Sequence, residues 1–228
     1  MPARRNRPEP LARRTILIVD DHPVFRRGLA SLIESEPDFA VCGQAGSSAA
    51  ALQAAQQSQP DLMIVDLSLG ESDGLDLVKE MKRRHPGIPA LVLSMHDEAV
   101  YAERSMRAGA RGYVTKQQLD ETVLVAIRRL LAGETYLSGT VEERLAARYV
   151  AGRTLATDSP LETLSDRELQ VFRLIGQGRS TRQVAETLHL SIKTIETHRE
   201  HLKQKLMVGS ATELAHRATQ WVETGRPR

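Results

Sequence analysis

Short apolar segments alternate with amphipathic segments between residues 15 and 132. The apolar segments are rich in β-branched residues and have almost no polar positions, which is typical of strands covered on both faces. The segments between them repeat their apolar positions every three or four residues, which predicts helices. The predicted strands are 15–20, 39–45, 61–66, 89–94 and 112–114. The predicted helices are 24–34, 49–57, 75–84, 99–108 and 119–131.

This alternation predicts an α/β domain at 15–132, with a doubly wound, five-stranded parallel sheet. Parallel strands need crossover connections, and the connecting helices must pack on the two faces of the sheet. Sites in such sheets form beyond the carboxyl ends of the strands. We therefore look for functional side chains where the predicted strands end.

The pattern changes after residue 132. Residues 133–160 are expected to form an interdomain linker, with a short helix over 141–150. The remainder, 161–228, has helical periodicity only and predicts an all-α domain of four helices. The predicted helices are 166–176, 181–188, 192–206 and 211–222.

Serine residues mark the starts of these four helices. Ser165, Ser180 and Ser210 each stand three residues before a Glu or Gln, which is the capping-box pattern. Ser191 can cap the remaining helix, and glycines close the first one. The tight junction between the second and third helices is typical of a helix-turn-helix.

Composition fits two ordinary globular domains, with 41% apolar and 26% charged residues and a net charge of +2. The single cysteine, Cys42, excludes an internal disulfide and indicates a small core residue. Residues 1–14 carry five arginines and three prolines, and we expect a disordered basic leader there. No apolar stretch is long enough to cross a bilayer, so we expect a cytoplasmic protein without a membrane partner.

Three aspartates stand where predicted strands end. Asp20 and Asp21 follow the first strand and Asp66 follows the third, so neighbouring strands would bring them together. Clustered carboxylates repel one another unless a cation is present, and hard oxygen ligands favour Mg²⁺. Ser94 and Lys116 end the next two strands. The set suits phosphoryl transfer onto a carboxylate, with Asp66 as the nucleophile.

Each of these residues also has a structural interpretation. Asp21 could cap the following helix, and Asp66 could be a turn aspartate. Lys116 could be a solvated surface lysine, and Ser94 a hydroxyl at a strand end. Tyr113 could be a plain core aromatic. The coincidence of the set at the ends of the correct strands favours the functional interpretation.

Residues 15–132 resemble the receiver domain of two-component response regulators, a flavodoxin-like fold. The resemblance rests on Asp20-Asp21-His22-Pro23, Asp66-Leu67-Ser68 with Gly74, Leu93-Ser94-Met95-His96 and the segment 108–116. It implies phosphorylation of Asp66 by a cognate sensor histidine kinase. It further implies Mg²⁺ contacts from Asp20, Asp21, Asp66 and the Ser68 carbonyl, phosphoryl contacts from Ser94 and Lys116, and a Tyr113 that reorients with Ser94. After the phosphoacceptor the family usually has a Met-Pro pair, where this chain has Leu69-Gly70-Glu71. This departure bears on the kinetics of phosphorylation.

The third helix of the C-terminal domain has one face that could read DNA bases. Ile195, Leu202 and Leu206, with His198, form an inward stripe. The opposite face carries residue types that bond to base edges: Lys193, Glu196, Thr197, Glu200 and Gln204. Flanking residues that could contact phosphates are Thr194, Arg199, Lys203, Lys205, Arg179 and Arg182. A solvated helix face would look similar.

Residues 161–222 are similar to the LuxR-type output domain of the NarL/FixJ group, on the motifs 164–168, 184–185 and 191–198 and the ending Lys205-Leu206. The resemblance implies that helix 192–206 enters the major groove of promoter DNA and that the last helix pairs two subunits. The expected function is phosphorylation-dependent transcription regulation by a homodimer, without enzymatic activity. RNA polymerase is a further candidate partner.

Two alternatives remain at this point. A phosphohydrolase of the haloacid-dehalogenase type would use Asp66 as its nucleophile, but it needs a second carboxylate where this chain has Ser68. The other alternative is a regulator whose receiver has stopped using phosphate and serves as a dimerisation module. The acidic set argues against it, and Gly70 and Glu71 argue for it.

Overall fold

The computed structural model describes residues 13–69, 72–95, 98–118, 121–139, 141–143, 160–188 and 190–224. In the N-terminal domain the strands are β1 (Arg14–Val19), β2 (Phe39–Ala45), β3 (Leu62–Val65), β4 (Ser68–Leu69), β5 (Ser72–Asp73), β6 (Ala90–Ser94) and β7 (Gly112–Thr115). Its helices are α1 (Pro23–Glu34), α2 (Ser48–Ser58), α3 (Gly74–Arg84), α4 (Glu98–Ala108) and α5 (Glu121–Leu131).

Five of these strands form one parallel sheet in the order β2-β1-β3-β6-β7. The doubly wound sheet expected from the sequence is confirmed, and β1 and β3 are neighbours, as the acidic site requires. The pairing joins Val19 to Val65, and Val65 to Val92, so three strands end at a common edge.

Side chains of alternate residues in β1 lie on opposite faces of the sheet. Ile16 and Ile18 belong to the core formed with α1 and α5. Leu17 and Val19 belong to the other core, which includes residues of α2, α3 and α4 and continues into the C-terminal domain. This period of two leaves both faces buried, which is why the strand sequences are almost wholly apolar.

A short antiparallel hairpin of β4 and β5 follows the third sheet strand and was not predicted. Ser68 pairs with Asp73, and Leu69 pairs with Ser72. Two-residue strands are too short to show an alternation of apolar and polar positions. The hairpin directly follows Asp66, so it lies at the expected site.

The C-terminal domain contains α6 (Asp166–Gly176), α7 (Thr181–Thr187), α8 (Ile192–Leu206) and α9 (Ala211–Thr224). The capping boxes at Ser165 and Ser180 are both reciprocal, as predicted. The third box is only half formed. The Ser210 hydroxyl accepts from the Glu213 amide at 3.1 Å, as in a capping box. The Glu213 carboxylate, however, accepts from the amide of the preceding residue, Gly209, at 2.8 Å.

Two glycines near the end of α6 have different roles. Gly178 has a left-handed backbone (φ 78°), so it closes the helix end as predicted. Gly176 is still helical, and a Cβ there would lie 2.4 Å from the carbonyl oxygen of Ala218 in α9. Gly176 therefore permits close packing of the two helices.

Parts of several sequence predictions lie outside the described residues. These are the leader up to residue 12, Gly70 and Glu71, the start of the helix expected at 119–131, and most of the linker expected at 133–160, including most of the helix expected at 141–150. Cys42 is half-buried, with its Sγ 3.5 Å from the Ser58 hydroxyl. Among the helices that the structure describes, none is both long and apolar enough to cross a membrane.

Candidate functional site

Two buried carboxylates and a buried ammonium group meet at the carboxyl ends of β1, β3 and β7. Lys116 Nζ lies 2.6 Å from Asp20 Oδ2 and 2.7 Å from Asp66 Oδ2. All three residues are less than a tenth exposed. The half-buried Phe25 of α1 places its ring centroid 4.2 Å from the ammonium. The lysine is therefore a fixed part of the site and not a solvated surface residue.

Asp21 and His22 complete a cluster of potential metal ligands. One ligand atom from each of Asp20, Asp21, His22 and Asp66 lies within 4.8 Å of all the others. The His22 amide donates to Asp20 Oδ1 at 2.7 Å, and its Nδ1 lies 2.7 Å from Asp21 Oδ1. Three converging carboxylates are a hard-oxygen donor set, so the residues fit Mg²⁺.

The charge on Asp66 is costly in this environment. Burial raises the pKa of the Asp66 carboxyl above its ordinary value, and Lys116 opposes that effect through its charge and hydrogen bond. The neighbouring Asp20 charge raises the pKa further, and a hydrogen bond from the Ser68 backbone lowers it. Added positive charge would stabilise the ionised carboxylate.

Gly74 brings the start of α3 against the backbone of Asp66. A Cβ at this position would lie 2.2 Å from the Asp66 carbonyl oxygen and 2.7 Å from Leu67 Cα. The Gly74 amide donates to the Leu67 carbonyl at 3.0 Å. Only glycine permits this close approach. It keeps both ends of the hairpin, Ser68 and Asp73, next to Asp66.

The remaining predicted residues of the N-terminal site lie near the same edge. Ser94 is fully buried at the end of β6 and pairs in register with Thr115 of β7. Tyr113 is fully buried in the core that contains α4. Ser68 is half-buried at the start of the hairpin.

Helix α8 buries the predicted inward stripe and exposes the opposite face. Ile195, Leu202 and Leu206 are buried, and His198 is half-buried. The predicted base-reading residues are all exposed: Lys193, Glu196, Thr197, Glu200 and Gln204. Nothing in the described part of the N-terminal domain covers that face.

Comparison with known proteins matches both halves of the chain. A model of the response regulator receiver domain matches residues 16–128, and a model of the bacterial regulatory proteins of the luxR family matches residues 162–218. The oxygen regulatory protein NreC of Staphylococcus carnosus (strain TM300) is 36% identical over 208 residues, which is 89% of this chain and 95% of NreC. The chain belongs to the LuxR-type response regulators.

Solved structures agree with this assignment. RcsB from Salmonella enterica serovar Typhimurium, bound to promoter P1flhDC in the presence of the phosphomimetic BeF3-, is 26% identical with a TM-score of 0.69. The likeness covers 91% of this chain and 98% of that chain. Another RcsB structure from Salmonella typhimurium has a TM-score of 0.72 at 25% identity, over 92% and 98% of the two chains. The family consists of DNA-binding transcription regulators, which excludes the phosphohydrolase alternative.

In this response regulator several predicted phosphate contacts have partners within the output domain. Lys205 Nζ lies 2.7 Å from the buried carboxylate of Glu168 and 3.3 Å from the Thr163 carbonyl. Lys203 lies 2.8 Å from Glu200, and Arg182 lies 3.2 Å from Glu186. Lys205 therefore has a structural role that the sequence did not reveal.

The other predicted contacts differ in accessibility. Arg179 and Arg182 are exposed, whereas Arg199 and Lys203 are half-buried. The half-buried Thr194 hydroxyl lies 2.8 Å from the hydroxyl of the capping residue Ser191. The start of α7 therefore offers two exposed basic groups, Arg179 and Arg182.

The receiver and output domains contact one another through residues that sequence reasoning missed. Tyr101 of α4 stacks on Trp221 of α9, with ring centroids 6.1 Å apart. Arg104 of α4 donates to the carbonyls of Leu161 at 3.1 Å and Leu164 at 2.5 Å. Arg173 of α6 reaches the Ser68 hydroxyl at 3.3 Å. These residues are far apart in the sequence, so no local pattern could have indicated the contacts.

Proposed function

We propose that this chain is a phosphorylation-dependent, DNA-binding transcriptional regulator whose phosphoacceptor is Asp66. A sensor histidine kinase would phosphorylate Asp66, and the change would alter domain docking or dimerisation and thereby promoter binding in the cytoplasm. The observation that carries the proposal is the buried Asp66 beside Lys116 and Asp20, at the strand ends of a receiver joined to a LuxR-type output domain.

The chemistry follows from the position of Asp66. A carboxylate oxygen of Asp66 attacks the phosphorus of the donor phosphohistidine, and a P–O bond forms as the P–N bond breaks. The donor nitrogen keeps the electron pair, and the imidazole is released after taking up a proton. Lys116 neutralises charge on the phosphoryl oxygens. Asp20, Asp21, Asp66 and the Ser68 carbonyl would hold Mg²⁺, which supplies further neutralisation of those oxygens.

Ser94 and Tyr113 are the proposed link from the phosphoryl group to the receiver surface. The Ser94 hydroxyl would donate a hydrogen bond to a phosphoryl oxygen. The Tyr113 side chain would then change position in the hydrophobic core that it shares with α4. Tyr101 and Arg104 of α4 contact the output domain, so a shift of α4 would disturb that contact. The phosphoryl group can bias docking only through such differential interactions.

The proposed DNA contacts are those of the exposed α8 face and its basic flanks. The base-reading side chains would be Lys193, Glu196, Thr197 and Glu200, and the phosphate contacts would come from Thr194, Arg199, Lys203 and Arg182. The similar RcsB structure is bound to promoter DNA, which supports promoter binding by this chain. Two subunits paired through α9 would bind two half-sites as a homodimer, and RNA polymerase is a candidate downstream partner.

Phosphoryl incorporation tests the proposal. Wild type and Asp66→Asn are incubated with Mg²⁺ and acetyl phosphate and followed by intact mass. The matched control is Asp61→Asn, because Asp61 lies at the other end of the sheet and pairs with Arg14 at 2.8 Å. We expect one phosphoryl group on wild type and Asp61→Asn, and none on Asp66→Asn or after chelation of Mg²⁺.

A different result selects the remaining alternative. If wild type takes up no phosphoryl group while a known receiver protein does so in the same assay, the proposed switch is wrong. The receiver would then serve as a phosphate-independent dimerisation module.

A further inference from the structure

The output domain reaches the loop that follows the phosphoacceptor. Arg173 of α6 is buried, with only 7% of its surface exposed, and its Nη1 lies 3.3 Å from the Ser68 hydroxyl. Ser68 stands two residues after Asp66 and donates a backbone hydrogen bond to the Asp66 carboxylate. Arg173 of the DNA-binding domain is therefore connected to the proposed nucleophile through one intervening residue, Ser68.

Asp73, at the other end of the hairpin, interacts electrostatically with Arg173. It is half-buried, and its Oδ1 accepts from the Leu75 amide at 2.6 Å, which caps α3. Burial raises the pKa of the Asp73 carboxyl, and the charge of Arg173 is the largest influence in the opposite direction. Gln170 of the same helix also hydrogen-bonds to Asp73.

Charge complementarity extends beyond this pair. A cleft of about 280 Å³ lies between the two domains beside Arg173. Its receiver wall carries Asp73, Asp76 and Glu80, and its output wall carries Arg167 and Arg173. Opposite charges across the cleft favour the docked arrangement.

The hairpin cannot move independently of the phosphoacceptor. Its first residue, Ser68, hydrogen-bonds to Asp66, and Gly74, just after its last residue, lies against the Asp66 carbonyl. A displacement of Ser68 or Asp73 therefore changes the position of Asp66 through the backbone.

We propose that Arg173 is a positioning residue of the phosphoacceptor site, supplied by the DNA-binding domain, which couples domain docking to occupancy of that site. It acts through Ser68 and Asp73 and does not touch the reacting atoms. The inference rests on the proposed role of Asp66 as phosphoacceptor. It adds a route between the domains that is separate from the Ser94–Tyr113 route.

The sign of the coupling follows from charge. In the docked state a guanidinium group lies against Ser68, whose carbonyl is a proposed Mg²⁺ ligand, so it disfavours a second cation there. Without Mg²⁺ or a phosphoryl group, Asp66 has a charge of about −1. The acyl phosphate has a charge near −2, so the loaded site, with both the phosphoryl group and Mg²⁺, is near zero. Loading therefore weakens the attraction for Arg173. By reciprocity, loss of Arg173 makes loading easier.

Trp221 provides an independent readout of docking. It is the only tryptophan in the chain, and it stacks on Tyr101 at the same domain interface. Its emission therefore reports separation of the domains whether or not Asp66 is phosphorylated.

The experiment compares wild type, Arg173→Gln and the control Arg111→Gln in the full chain. Arg111 is an exposed arginine just before β7, at the opposite end of the sheet from Asp66, and it does not line the cleft. Two quantities are measured: the Mg²⁺ dependence of phosphoryl incorporation from acetyl phosphate, by intact mass, and the emission of Trp221 with and without acetyl phosphate. Ser68→Ala, which removes the hydroxyl contact and keeps the backbone carbonyl, is measured in parallel.

We expect half-maximal incorporation in Arg173→Gln at an Mg²⁺ concentration lower by about fivefold or more. Without phosphoryl donor, Trp221 of this variant should already emit as in phosphorylated wild type. Ser68→Ala should change both quantities in the same direction, and Arg111→Gln should match wild type. If Arg173→Gln is too unstable to measure, the Ser68→Ala result decides by the same criteria.

Two failures are distinguishable. If wild type is phosphorylated but Arg173→Gln and Ser68→Ala keep its Mg²⁺ dependence, the coupling is overturned and the proposed function stands. If wild type takes up no phosphoryl group, the proposed function fails and the coupling to phosphorylation fails with it. In that case a Trp221 emission change in Arg173→Gln would assign Arg173 to docking alone.

Discussion

At the proposed phosphoacceptor site, Lys116 lies between two buried carboxylates that would otherwise repel each other. Its ammonium lies 2.6 Å from Asp20 and 2.7 Å from Asp66. Burial still raises the pKa of Asp66, so one lysine does not fully offset the loss of hydration. Binding of a further cation at this site would therefore be electrostatically favourable.

Mg²⁺ should stabilise the folded protein through this site. At about ten times its Kd, a ligand specific for the folded state contributes about 1.4 kcal/mol. For a protein of this size, that corresponds to a rise in Tm of about 3–6 °C. Differential scanning fluorimetry should show this rise for wild type and for Asp61→Asn. An equal rise in Asp66→Asn would show that Mg²⁺ stabilises the protein elsewhere.

Gly74 should tolerate no side chain. In Gly74→Ala the new Cβ would lie 2.2 Å from the Asp66 carbonyl, so the backbone must move. We expect a loss of about 1–3 kcal/mol in the free energy of unfolding, as for overpacked cores, together with slower phosphoryl incorporation. Gly87→Ala is the matched control, because a Cβ there would meet nothing within 4 Å. Denaturant unfolding that gives equal stabilities for the two variants would contradict this account of the loop.

Much of the site could be predicted at this scale. Asp20, Asp66, Ser94 and Lys116 all stand at strand ends, and the order of the strands brings strand ends together. The roles of Phe25 over Lys116 and of Arg173 against Ser68 could not be predicted, because these contacts depend on packing between elements distant in the sequence.

At the scale of elements, α8 carries both the proposed reading face and a lysine that forms an ion pair with α6. Lys193 is exposed, whereas Lys205 binds the Glu168 carboxylate at 2.7 Å. Both lysines were predicted as DNA contacts from their position on one helix. Helical spacing alone could not show that their roles differ. The difference depends on the packing of α6, which carries Glu168, against α8.

Alanine substitutions should separate the two lysines. Lys193→Ala should weaken binding to the preferred duplex by about 1–3 kcal/mol, relax the base preference at the position that Lys193 reads, and leave Tm unchanged. Lys205→Ala should lower stability by about 1–3 kcal/mol, because it removes a charged partner from a buried carboxylate. Anisotropy with labelled duplex DNA and thermal unfolding give the two readouts. Equal effects of both variants on Tm would refute this assignment.

Glu168 should make the output domain sensitive to acid. Burial raises the pKa of its carboxyl, but hydrogen bonds from Lys205 and Ser165 more than offset this, and the net pKa is lowered. A lowered folded-state pKa stabilises the fold above the ordinary glutamate pKa, and that contribution is lost as pH falls through the folded value. The Tm difference between wild type and Glu168→Gln should therefore shrink between about pH 6 and about pH 3. A constant difference over that range would contradict the prediction.

At the scale of the whole molecule, the two domains share one continuous hydrophobic core. Residues of the receiver sheet and of α4 belong to the same cluster as Phe172 and Trp221 of the output domain. Two domains and their element order were predictable from periodicity and capping residues. Their docking was not, since Trp221 fits an ordinary amphipathic helix, and only the structure shows Tyr101 as its neighbour.

This docking suggests how phosphorylation could control DNA binding. The proposed reading face of α8 is exposed, so the described part of the receiver does not cover it in this arrangement. Trp221 of α9 is buried against the receiver, and α9 is the helix proposed to pair two subunits. We therefore expect phosphorylation to raise DNA affinity by releasing α9 for dimerisation.

The affinity for DNA with and without phosphoryl donor tests the central claim most directly. A duplex is first enriched from a random library by the protein treated with acetyl phosphate and Mg²⁺, and its Kd is then measured by anisotropy at fixed salt. Wild type should bind about 5–150-fold more tightly after treatment, whereas Asp66→Asn should bind equally in both conditions. The same Kd for treated and untreated wild type, with phosphorylation verified by mass, would contradict the claim that Asp66 controls the output domain.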